Sequence, residues 1–157
     1  MKQLLPFYRN KRGQALIEFA FILPFLLVIV GGIIDFGLAF FIGQVIVNAA
    51  REGARAGAVV RPVGVTKDFP TDEEGTCTVP CDSGPSILKV ASAKIPDVGL
   101  FKNFKLESKF TTSPNPNENS VQVTVEGQYG WFLLQLIPGF DGPITISRTA
   151  EMRWEWQ

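Results

Sequence analysis

Between Ala15 and Ile34 twenty residues run with a single charge, Glu18. A carboxylate in hydrocarbon is costly, so an acid here asks for a partner: a positive charge, a headgroup or a neighbouring chain. The other residues able to do chemistry lie far downstream. Cys77 and Cys81 stand four apart in Gly-Thr-Cys-Thr-Val-Pro-Cys-Asp-Ser-Gly. That spacing suits a short-loop disulfide in an oxidising compartment, with two free thiols as the alternative. Asp68, Asp72, Glu73, Glu74 and Asp82 cluster around the cysteines. They lack the regular spacing and turn glycine of a calcium loop, so a solvated acidic loop is expected. The chain has no histidine, which removes the commonest general base and neutral metal ligand. With no metal constellation, glycine-rich phosphate loop or nucleophile motif either, no enzyme, metal or cofactor is expected.

The elements that position Glu18 are written around it. Residues 1–13 hold four of the fifteen basic residues, Lys2, Arg9, Lys11 and Arg12, and no acid. Without that leader, eleven basic residues face fifteen acids, a net charge of −4. Neither balance suits a nucleic-acid binder, which needs a basic face on a folded domain. Ala15–Ile34 as a helix spans roughly 30 Å, one hydrocarbon thickness. The basic flank places the N-terminus in the cytoplasm and the bulk of the chain outside. A signal peptide has an apolar core of only ~7–15 residues before its cleavage site, and here the small-residue sites lie too far downstream.

No proline occurs between Pro24 and Pro62, so the helix is expected to run from 14 to about 60, with the span at about 15–38 and an outer stalk beyond it. Pro24 removes one backbone N–H and should kink the axis, and Gly31-Gly32 adds a second soft point. This is either the ordinary tolerance of membrane helices or a helix built to bend while entering an assembly. Ala49, Gly53 and Gly57, with Ala50, Ala54 and Ala58 beside them, form a smooth stripe against which another backbone can pack. Its occupant is either the chain's own outer domain or a neighbouring subunit. Arg51, Glu52 and Arg55 read as a solvated face. Asp35 is expected at the outer membrane interface, or against a protein partner if the span shifts outward.

Residues 61–85, rich in Pro, Gly, Thr and acids, read as a loop tied by the cysteines. Residues 86–157 read as an extracytoplasmic α+β domain. Ser86–Ile95 suits a short helix between two prolines, and 105–112 is a weak strand. Val121, Val123 and Val125 alternate with polar residues up to Tyr129. Ile144, Ile146, Ala150, Met152, Trp154 and Trp156 do the same, interrupted by Arg148 at an edge or bulge. The run Gly-Trp-Phe-Leu-Leu-Gln-Leu-Ile-Pro-Gly-Phe between them is either a short helix closing the sheet or an exposed apolar patch for a partner or the bilayer. The expected architecture is a long N-terminal transmembrane and stalk helix followed by a small antiparallel sheet with one or two short helices, an α+β plan.

A glycine ending a basic leader, five residues before a glutamate in an apolar helix, resembles a type IV prepilin. Gly-Gln-Ala-Leu-Ile-Glu-Phe-Ala-Phe-Ile-Leu-Pro, then Asp-Phe-Gly, then Ala-Ala-Arg-Glu-Gly-Ala-Arg-Ala more specifically resemble the TadE-like family, pseudopilins of the tight-adherence (Flp) pilus machinery. The alternating C-terminal strand ending Met-Arg-Trp-Glu is also similar. The resemblance is most specific over 12–58, looser over 119–157, and does not extend to the cysteine loop.

The resemblance implies cleavage by a prepilin peptidase between Gly13 and Gln14, which makes Glu18 the fifth mature residue. It further implies a minor pseudopilin in the cytoplasmic (inner) membrane or the pilus, with other pilins, pseudopilins, platform proteins and membrane lipid as partners and no nucleic acid. Cleavage would create an α-amine at Gln14, positive near neutral pH. In a helical bundle that amine and a neighbour's Glu18 would neutralise each other and fix axial register between subunits. Cyclisation of the N-terminal glutamine would remove that charge. The competing reading is an uncleaved single-pass anchor carrying an extracytoplasmic binding domain, with Glu18 near Arg12 and the headgroups.

Overall fold

The computed structural model describes residues 11–59, 73–96, 101–111, 119–139 and 142–153. Asp68, Asp72, Trp154, Trp156 and the leader up to Asn10 lie outside these.

Helix α1 runs from Lys11 to Ala58, 48 residues, with Pro24 inside it. Its sequence contains no other helix breaker stronger than glycine, and it ends in a turn in which Val59 donates to the Ala56 carbonyl at 3.3 Å. Helix α2 is short, Ser86–Ser92. Its amides at Leu88 and Lys89 donate to the Pro85 carbonyl, and it buries Ile87, Leu88 and Ala91. Glu73 supplies the missing cap: its carboxylate accepts from the Ser86 hydroxyl at 2.6 Å and from the Ile87 N–H at 3.2 Å.

Four antiparallel strands form one sheet in sequence order: β1 (Gly75–Thr78), β2 (Phe101–Thr111), β3 (Ser120–Tyr129) and β4 (Ile144–Arg153). β1 falls inside the stretch read as loop. Its four residues pair with Lys105–Ser108 of β2, and only Cys77 is buried, too little periodicity to announce a strand. From Val121 onward β3 alternates without fault, burying Val121, Val123, Val125 and Tyr129 while Gln122, Thr124, Glu126 and Gln128 face outward.

The outer half of α1 and α2 cover the inner face of the sheet, and the other face is polar. Ile42, Ile46, Ala49, Ala50, Ala54 and Ala58 meet Leu106, Phe110 and the β3 valines in one core. This is the α+β plan expected from the sequence.

Among the described residues one irregularity shapes the sheet. Between Lys102 and Lys105 the register slips, so that Asn103 and Phe104 both stand opposite Gly127. Asn103 takes a left-handed φ of 58° and its amide donates to Gln128 Oε1 at 3.0 Å. The Phe104 ring covers Gly127 so closely that a Cβ there would lie 2.5 Å from it. Arg148, by contrast, marks no bulge. It pairs in unbroken register with Val125 of β3, and its own strand β4 is an edge strand whose inner-face residues Ile144, Ile146, Ala150 and Met152 are themselves only half covered. A charge is tolerated there because that rim is open to solvent.

Candidate functional site

The front of α1 is bare. Leu16, Ile17, Phe19 and Ile22 are 57–70% exposed and point to different sides of the helix, so over its first turns no face is covered by the chain's own domain. Among the described residues this is the one helix long and apolar enough to cross a membrane. An apolar helix clothed all round in large side chains is what a lipid-facing span looks like, and it points to a single-pass anchor. At its start Gly13 has nothing within 4 Å of where a Cβ would stand. Gln14 and Glu18 are exposed, one turn apart, and Gln14 Nε2 donates to Glu18 Oε1 at 3.1 Å. Pro24 sits in the middle of the bare stretch.

Asp35 is bound inside the chain's own fold. It is 0% exposed and holds the outer domain to the helix. Its Oδ1 accepts from the Tyr129 hydroxyl at 2.9 Å and the Phe132 N–H at 2.8 Å. Its Oδ2 accepts from the Leu133 N–H at 2.9 Å and the Leu134 N–H at 2.6 Å. These three amides open the 3-10 turn Leu134–Leu136 and have no partner within it, so the carboxylate acts as its cap. Four donors on one carboxylate make its burial tolerable, and bonds to a charged acceptor are the strong kind. Burial and the adjoining carboxylate push the Tyr129 hydroxyl up from its ordinary value, so it stays a donor. Trp131 packs edge-on against both Phe36 and Tyr129 at 5.7 Å. The Asp35 carboxylate thus finds its partners within the chain itself.

The small-residue stripe meets the chain's own sheet. A Cβ on Gly53 would stand 3.0 Å from Ala91 and Val123, and one on Gly57 would stand 2.8 Å from Val121. Ala49 is fully buried in the same seam. The stripe is therefore occupied within the protomer. Cys77 and Cys81 are joined, with Cα atoms 5.7 Å apart, well away from α1's bare front. Of the acids near them, Glu73 caps α2 and Glu74 accepts from the Phe110 N–H at 2.7 Å. Among the described residues no group of acids or cysteines is arranged to hold a metal.

The helix that carries Gly13, Glu18, Pro24, Asp35 and the small stripe is also where the chain is similar to known proteins. Residues 13–55 match the family described as TadE-like protein. The TadE-like resemblance drawn from the helix motifs is borne out over this stretch. The match takes in α1 almost to its end and leaves the sheet outside. No curated protein and no solved structure matches the chain. A TadE-like front points to a component associated with a Tad pilus. Within the matched stretch, Asp35 of Asp-Phe-Gly is the residue whose role the sequence did not show. The signal for it was indirect, an acid at the outer end of an apolar run with no basic residue nearby.

Proposed function

We propose that the chain is a minor pseudopilin-like component of a Tad/Flp pilus or secretion apparatus, structural rather than catalytic, that assembles through its N-terminal helix. The observation that carries this reading is the bare, TadE-like front of α1, with Gly13 and Gln14 opening it and Glu18 exposed one turn on. Prepilin peptidase cuts between Gly13 and Gln14 at the cytoplasmic face of the inner membrane, and the outer domain stands on the far side. The Cys77–Cys81 bridge agrees with an oxidising outer compartment.

Glu18 then acts in assembly. Before docking, its carboxylate is held by its own Gln14 side chain. In a bundle the new α-amine of a neighbour offers a charged partner, which a desolvated carboxylate prefers to a neutral amide. The exchange sets axial register between subunits.

Mass spectrometry of the protein purified from membranes tests the reading. The expected chain begins at Gln14 or its cyclised form. A chain that still begins at Met1 sinks the processing step and leaves an uncleaved anchor. Glu18→Ala should leave cleavage intact while lowering co-purification with the pilus apparatus.

A further inference from the structure

The segment Trp131–Ile137 does more than close the sheet. Leu133 lies over Gly31, where a Cβ would be 3.2 Å away, one helical turn inward of Asp35. A groove of about 280 Å³ runs on from there, between Leu27, Val28 and Gly31 of α1 and Leu133, Leu136 and Ile137 of the segment. Both walls are apolar. Leu136 is 80% exposed and Phe132 50%, and no charged residue occurs between Glu126 and Asp141. The outer domain thus reaches down the helix onto residues that, in the reading of α1 as a membrane span, are lipid-facing.

Non-helical backbone can sit at membrane depth only if its polar groups are satisfied. Here the Phe132, Leu133 and Leu134 amides donate to Asp35. The Leu136 and Ile137 amides donate to the Leu133 and Leu134 carbonyls, and Gln135 Nε2 donates to the Phe132 carbonyl. Trp131, half-buried just above, is the residue type enriched where hydrocarbon meets headgroups.

We propose that Phe132–Ile137 inserts into the leaflet on the outer-domain side, so that its acyl chains fill the groove against Leu27–Gly31. The protein would then hold the bilayer by a helix and a second, loop-borne foot, with the membrane's outer boundary near Asp35. The inference rests on α1 spanning the membrane.

The test uses the full chain in phosphatidylcholine/phosphatidylglycerol vesicles, labelled without reductant so that the Cys77–Cys81 bridge is kept. Nitroxides are placed one at a time at Leu136→Cys and Phe132→Cys, at Phe25→Cys within the span and at Thr145→Cys on the polar face. Accessibility to oxygen and to a water-soluble nickel chelate on both sides of the membrane is measured. Positions 132 and 136 should follow position 25, with an oxygen-to-nickel ratio several-fold above that at 145. If position 25 is lipid-protected while 132 and 136 behave like 145, the insertion is overturned and the span stands. If position 25 is itself open to nickel, the span reading fails and the insertion with it. If 132 and 136 are shielded from both reagents and their spectra broaden through spin–spin contact, a second copy covers the groove and the proposal is wrong.

Discussion

Two halves of one helix meet two different surroundings. From Gln14 to Ile34, α1 carries Leu, Ile, Val and Phe around its circumference and leaves them exposed, with Phe25 at 74%. From Ile42 to Ala58 the side facing the sheet narrows to Ile42, Ile46 and then only Ala and Gly, while Arg51 and Arg55 face outward. Both halves are apolar. Size and angular spread separate them, because hydrocarbon accepts a large side chain in any direction, whereas a twisted sheet admits a helix closely only where its side chains are small. The change-over comes at Gly31–Asp35, where the first buried residue of the helix, Gly31, and a buried acid receive the outer domain.

The sharpest way to break this contrast is at the change-over. Asp35→Ala strands three amides and a phenol, and should cost about 3–5 kcal/mol of domain stability. Urea unfolding of the full chain in detergent micelles, followed by near-UV circular dichroism, reads it. Next come the places where the covered half has no room. Gly57→Val drives a side chain into Val121, and Gly127→Ala places a methyl against the Phe104 ring and Ile46, so each should lose about 1–3 kcal/mol in the same titration. Tyr129→Phe removes one donor of four and leaves the packing intact, a loss of about 1–2 kcal/mol visible as a lower midpoint with an unchanged slope. Gly43→Ala lies in open space on the helix, so helix propensity alone should act and stabilise by about 0.5–1 kcal/mol. In the bare half, Phe25→Ala should move the domain's midpoint by less than about 0.5 kcal/mol. A loss there as large as that at Gly57 would erase the distinction.

Much of the plan was legible because it is written in periodicity and in isolated charges. Glu18 stands out against nineteen uncharged neighbours, and Val121–Tyr129 alternates at a period no helix shares. Three features were not legible, each for a physical reason. The partners of Asp35 are mostly backbone amides 97 to 99 residues downstream, and an amide has no letter of its own. β1 is held by its ladder with β2 rather than by an apolar face, so its composition reads as loop. The Asn103–Phe104 bulge shows in sequence only as Gly127 in a strand, a mark that close backbone approach and ordinary turns share. Arg148 broke the alternation for a different reason than a bulge: an edge strand half-covered by a helix tolerates a charge in register.

Asp35 also has a mechanical consequence. The outer domain is clamped to α1 from Gly31 outward, where Leu133 covers the glycine, and inward of that clamp lies Pro24. Ala58 lies about 51 Å beyond it along the axis, at 1.5 Å per residue. A bend of about 20° at the proline would sweep that end sideways through roughly 17 Å with the whole head carried along. With such a bend, a small change of tilt in the bare shaft would become a large excursion of the head, because the acid at position 35 pins rod and head together.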